Sequence, residues 1–205
     1  MLQLTGFRKS YDSRDVLRID SLQLAPGCYW LQGPNGAGKS TLLRCIAGLT
    51  PYEGNITVDG LDLRKERIAY CRNVSWADAE PQYPGFLNGN DLLAFYLKTR
   101  GGTSREADSL LDALGARSYQ QQPLGGWSSG MLKKLSLVLA LLGSPRWVLL
   151  DEPLITLDTA AQVALTGLLS TRIAAGTSFL LTSHQPLPGL HSTVLQLRDQ
   201  NLVVL

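Results

Sequence analysis

Gly33-Pro34-Asn35-Gly36-Ala37-Gly38-Lys39-Ser40 fits the spacing G-x-x-x-x-G-K-[ST] without a mismatch. Glycines so placed let successive backbone N–H groups turn inward on phosphate oxygens, and a following helix adds its free N–H groups and the positive end of its dipole. In this spacing the lysine reaches the β and γ phosphates of a nucleoside triphosphate, and the next hydroxyl ligates magnesium. Lys39 and Ser40 are expected to take those roles here, with Thr41 completing the nucleotide-binding run. Cys28–Gln32 before the loop reads as a short strand. Thr41–Ala47 after it has helical apolar spacing, closed by Gly48 and then Pro51.

A second group of chemical residues lies far downstream. Trp147-Val148-Leu149-Leu150 is an apolar strand that runs into Asp151-Glu152-Pro153, which puts two acids at the carboxyl edge of a sheet. Asp151 would orient magnesium, and Glu152 would activate the attacking water from a position off the metal. A further strand, Ser178–Thr182, ends at Ser183-His184, whose imidazole could hydrogen-bond a γ phosphate on the same edge. His191 has no such setting and reads as a surface residue.

The elements that must hold these residues are legible in outline. Residues 2–30 alternate polar and apolar in short runs, which predicts two antiparallel strands around a polar turn at Asp12–Asp15. Gly54–Gly60 adds a strand and turn, and Val74-Ser75-Trp76 another strand. A Pro/Gly-rich stretch at 81–89 then precedes helix-like segments at Asp91–Thr99, Ser104–Leu114 and 131–142. The whole is an α/β chain of 205 residues with a helical insertion, long enough for one good core.

Bulk properties exclude more than they assign. A formal charge of +2 gives no reason to expect nucleic acid as a partner. No run approaches the roughly 18 apolar residues that cross a bilayer, and the N-terminus lacks the pattern of a secretory signal, so a cytoplasmic protein is expected. Cys28, Cys45 and Cys71 form no CxxC or Cys/His cluster and read as buried free thiols.

Between the two phosphate-directed groups, Trp127-Ser128-Ser129-Gly130-Met131-Leu132-Lys133-Lys134-Leu135-Ser136-Leu137 opens a helix, and it resembles the signature of ABC-type ATPases. The order of glycine loop, signature, acidic strand and histidine is that family's order over nearly the whole chain. The resemblance implies a P-loop NTPase core of the RecA-like, ABC type with an N-terminal antiparallel β subdomain, at about 1–76 and 144–205. It places an inserted α-helical subdomain at 77–143. It also implies ATP and Mg2+ as cofactors, and a head-to-tail dimer, homo- or heteromeric, in which Ser128 and Gly130 of one subunit close over the γ phosphate held by the other. Tyr11 falls where the family stacks a ring on adenine, and Asp158 falls in the loop that crosses the dimer interface.

Departures from the family are equally specific. Ser129 stands for a glycine of the signature and Met131 for its glutamine; the loop that normally offers magnesium a glutamine has Ala79 there, with Asp78, Glu80 and Gln82 nearby. With Lys39, Asp151, Glu152 and His184 all present, ATP hydrolysis is expected. The resulting expectation is the ATP-binding subunit of an ABC transporter on the cytoplasmic face of the membrane, partnered by integral membrane permease subunits. His184-Gln185-Pro186-Leu187 is similar to the heme-export type of cytochrome c maturation, and the Ser-Ser-Gly-Met pattern to drug and polysaccharide exporters. Alternatives are a soluble ABC ATPase outside transport, which would usually show two ATPase halves or a long insertion, and a regulatory module with weak hydrolysis. A GTPase would need an Asn-Lys-x-Asp motif, which is lacking.

Overall fold

The N-terminal alternation builds a hairpin: β1 (Leu2–Tyr11) and β2 (Arg14–Leu24) pair antiparallel, from Leu2 opposite Leu24 to Tyr11 opposite Arg14. Leu2, Leu4, Phe7, Leu17, Ile19 and Leu24 are all buried, as a period of two along a half-buried sheet demands. The structure, a computed structural model, describes every residue except Ser13; within the turn expected at Asp12–Asp15, that position lies outside the described residues. After the hairpin come β3 (Cys28–Gln32) and α1 (Lys39–Ile46), then β4 (Glu53–Val58) and β5 (Leu61–Asp62). The first sheet runs β2-β1-β4-β5 and is antiparallel throughout.

The second sheet carries the chemistry. Following α2 (Arg67–Asn73), the strands β6 (Val74–Ala77), β7 (Trp147–Leu150), β8 (Ser178–Thr182) and β9 (Thr193–Arg198) assemble in parallel with β3, and β10 (Asn201–Val204) is antiparallel to β9 at the edge. The order β10-β9-β3-β8-β7-β6 sets β3, β8 and β7 side by side. Their carboxyl ends therefore deliver residues 33–40, 183–184 and 151–152 to one edge, where α/β proteins bind ligands. The helices α3 (Gly89–Arg100), α4 (Ser104–Ala113), α5 (Ser129–Leu141) and α6 (Thr159–Ala174) complete the chain.

Strands buried on both faces explain why the sequence around the acids is apolar without alternation. In β7, Trp147 and Leu149 join the core formed with the N-terminal hairpin and α1, while Val148 and Leu150 join the core formed with α3 to α6. β8 divides likewise, Leu180 to the first core and Phe179 and Leu181 to the second. Trp147 is 1% exposed and stacks on Tyr29 with ring centroids 5.9 Å apart. Trp147→Ala should destabilise the protein by roughly 3–5 kcal/mol, read as a fall in the urea midpoint at unchanged slope.

Local signals set the helix starts. Ser128 caps α5 by accepting from the Met131 N–H at 3.3 Å, so the helix expected over 131–142 begins two residues earlier, at Ser129. Asn88 and Asp91 form a reciprocal capping box that starts α3 at Gly89. Cys28 and Cys45 are buried and Cys71 is half-buried, all free thiols. Among the described residues no helix is long and apolar enough to cross a membrane.

Candidate nucleotide site

The glycine loop is shaped by close packing. Gly38 has φ +103°, a conformation disfavoured for residues with a Cβ. A Cβ at Gly38 would also stand 3.1 Å from Val16 Cγ1 and from Leu17 Cδ2 on β2. No side chain caps the N-terminus of α1, and the first N–H groups of a helix have no intrahelical partner. Lys39 folds across the loop and donates to the carbonyls of Gly33 at 2.7 Å and Pro34 at 3.1 Å.

A cavity of about 370 Å³ gathers Asn35, Gly36, Gly38, Lys39, Ser40 and Thr41 from the loop with Asp151, Glu152 and His184, closed on one side by Val16. A neighbouring cavity of about 710 Å³ shares Val16 and Gly36 and includes Gly33, Pro34 and Ala37 against the β9–β10 hairpin. Tyr11 lines neither cavity; it is 49% exposed at the hairpin tip, with the Lys9 ammonium 4.1 Å from its ring centroid.

The acids differ in setting. Asp151 is 2% exposed, and its Oδ1 accepts from the Thr182 hydroxyl at 2.6 Å. The same Thr182 oxygen accepts the Glu152 N–H at 3.0 Å. Glu152 has φ +44°, and its Oε1 lies 3.9 Å from His184 Nε2. A buried carboxylate held by one oxygen, beside a cavity carrying the Ser40 hydroxyl, has the donor chemistry of a magnesium site. Among the described residues no three His, Cys, Asp or Glu side chains cluster as a metal site. Ser40 and Asp151 are the oxygen donors that the cavity would offer a magnesium ion.

Sequence reasoning missed two residues here. Thr182 is one, read only as a strand end. Lys133 is the other: fully buried on α5, its ammonium donates to the carbonyls of Asp78 at 2.6 Å, Asp151 at 2.8 Å and Ala79 at 3.4 Å. Burial draws its pKa down to about 8, against the opposing pull of Asp151, Asp78 and Glu152.

Ser128 and Gly130 lie outside this cavity. Ser128 is exposed, and Gly130 packs so closely on the segment after β7 that a Cβ would meet the Thr156 carbonyl at 2.7 Å. Met131, in the glutamine's place, packs on the helical core. Asp158 is also outside the cavity: its carboxylate caps α6 through the Ala161 N–H at 2.9 Å and pairs with Lys134 at 2.5 Å, and Lys134 holds it below the usual carboxylate range. Asp78 pairs with Arg44 at 3.2 Å, and none of Asp78, Ala79, Glu80 or Gln82 lines the cavity. His191 is exposed.

A glycine loop, an acidic strand end and an imidazole on one sheet edge define a P-loop nucleoside triphosphatase. A profile described as ABC transporter matches residues 17–155, and the chain belongs to that family, whose members bind and hydrolyse ATP. Cytochrome c biogenesis ATP-binding export protein CcmA of Salmonella typhi is 33% identical over 201 residues, covering 96% of each chain. ATP-binding cassette sub-family A member 7 of Mus musculus is 34% identical over 192 residues, covering 90% of this chain; this chain spans only 9% of the mouse protein. A solved ATP-binding subunit of an ABC transporter superposes with TM-score 0.89 at 24% identity, covering 100% of this chain and 90% of the other, which establishes the shared fold.

Proposed function

We propose that this chain is the ATP-binding subunit of an exporter, held at the cytoplasmic face of the membrane by separate integral membrane permease subunits and working as a dimer of ATPase subunits. Residues 77–143 serve in this reading as its inserted helical unit. The observation that carries the proposal is the separation of Ser128 and Gly130 from the cavity that holds the glycine loop, Asp151, Glu152 and His184. Ser128 is exposed at the start of α5, so that helix end is offered to a second chain rather than to its own loop. Export is favoured by the full-length match to a protein named as an export subunit.

Within the site, Lys39 sets its charge against the β and γ phosphates. The Glu152 carboxylate holds the attacking water and takes its proton, and His184, beside Glu152, donates to a γ-phosphoryl oxygen. Ser40 and Asp151 would hold magnesium, which when bound neutralises charge developing on the phosphates. Tyr11 is assigned to adenine and Asp158 to the subunit interface.

The permease is expected at a groove of about 650 Å³ between α2 and α3. Arg67, Arg72, Lys98 and Arg100 line it, with Ile68 76% exposed and Phe95 60% exposed among them. Exposed apolar side chains ringed by cations suit an amphipathic segment carrying acids. The protein used as bait on detergent-solubilised membranes of its source organism should capture a multi-span membrane protein, and Phe95→Asp should abolish the capture. Recovery of no integral membrane protein would refute the transporter reading.

A further inference from the structure

The Asp151–Glu152 peptide is gripped at both ends. A peptide unit is planar, so its carbonyl and its N–H point in fixed, opposite directions. Here the Asp151 carbonyl accepts from Lys133 at 2.8 Å, and the Glu152 N–H donates to Thr182 at 3.0 Å. Those two bonds fix the rotation of the plane, and with it the direction in which Glu152 leaves the strand.

That direction is one Glu152 would not choose unaided. Its φ of +44° lies in the left-handed region, which a residue with a Cβ keeps only when its surroundings impose it. The final rung of the sheet, Asp151 N–H to the Ala77 carbonyl at 2.9 Å, stops one atom group short of the strained residue. Lys133 takes over where the ladder ends: its ammonium bridges the two segments beyond it through the carbonyls of Asp78, Ala79 and Asp151.

A lysine is an expensive way to fill an apolar helix face. A buried ammonium must recover its lost hydration from hydrogen bonds, whereas a methionine of similar size would pack there without that demand. All three of its donors are engaged, each by a main-chain carbonyl.

We propose that Lys133 is a positioning residue for hydrolysis, acting with Thr182 as the two jaws of a clamp that holds the Asp151–Glu152 peptide and so aims the Glu152 carboxylate into the nucleotide cavity. The same ammonium makes the backbone of residues 78–79 part of that support. This rests on the reading of Glu152 as the residue that activates water.

The full chain carrying Lys133→Met should bind a fluorescent ATP analogue within twofold of the parent affinity while kcat falls at least twentyfold, and Lys133→Arg should recover a quarter or more of the lost rate. Thr182→Val should likewise lower kcat; because its hydroxyl also holds Asp151 Oδ1, its nucleotide affinity is compared without magnesium, where it should stay within twofold, and the double variant should lose little beyond Thr182→Val. Independently of activity, hydrogen exchange in a peptide spanning 151–156 should quicken at least tenfold in Lys133→Met, with β9 unchanged. Parental kcat with parental exchange in Lys133→Met would overturn the proposal, as would affinity and rate falling together without rescue by arginine. Should Lys133→Met fail to fold, Lys133→Gln and Thr182→Val decide it by the same kcat-to-affinity split. A parent no faster than Glu152→Gln would refute the role of Glu152 instead, and the exchange measurement would then judge the clamp alone.

Discussion

Glu152→Gln is expected to lower ATP hydrolysis by at least about 100-fold, roughly 2.7 kcal/mol of transition-state stabilisation, and to leave nucleotide bound as tightly as before or more so. Glutamine matches the shape of glutamate, so the Glu152 N–H to Thr182 and the left-handed backbone at this position persist. What disappears is the negative charge beside His184 that can take a proton from water. Removing a carboxylate from a cavity that receives phosphates also lifts a like-charge repulsion, which is why affinity holds or improves while turnover collapses. Phosphate release under saturating ATP, set beside equilibrium binding, separates the two. A variant that kept the parental rate would transfer the role of base to another group.

Lys39→Ala should act in the opposite way, on binding first. Its ammonium is bonded to the Gly33 and Pro34 carbonyls of the loop, and Lys39 lines the nucleotide cavity. Charge-assisted hydrogen bonds to an ionised partner contribute about 1.5–3 kcal/mol, so affinity should weaken by roughly 10- to 150-fold. The loop backbone itself should survive, because Gly33 and Gly38 lie so near β9 and β2 that a Cβ on either would crowd them, a packing the lysine does not supply. Calorimetric titration with ATP and with adenosine tests this: the loss should appear for ATP and be absent for adenosine, which carries no phosphate.

Much of the site was legible because its parts are local. The glycine loop, the strand that precedes it and the helix that follows are contiguous in sequence, and the apolar runs before Asp151 and His184 are too short and too uniform to be anything but buried strands. Other elements were hidden for physical reasons. The helix α6 buries only Ala161, Leu165 and Leu169, one narrow stripe among Thr, Ser, Gly and Ala, so its period is faint. Its start signal is Asp158, which caps the helix and pairs with Lys134 while remaining the carboxylate assigned to the subunit interface. The strands β9 and β10 and the helix α2 carried no chemical motif to draw attention to them.

Lys133 and Thr182 were hidden differently. Both act on main-chain groups or on a neighbour's carboxylate, and main-chain carbonyls leave no mark in a sequence. Lys133 in particular reads as one more cation on a helix with Lys134 beside it; only the three carbonyls around its ammonium distinguish it. Of the departures at Ser129 and Met131, packing gives a meaning to the second. Ser129 is exposed in the first turn of α5, and Met131 serves the helical core.

The central claim, that a complete site needs the loop of one chain and the α5 start of another, is tested most directly by complementation. At ATP concentrations no higher than the parental Kd, Lys39→Ala and Ser128→Arg should each be nearly inactive alone, since every site in either dimer has one defective half. Mixed in equal amounts, half the dimers pair one of each; such a dimer unites both defects in one site and leaves the other intact. The mixture should therefore hydrolyse ATP at roughly a quarter of the parental rate if the sites act independently. A mixture that stays as inactive as its components, although exchange of subunits is demonstrated, would contradict the composite site.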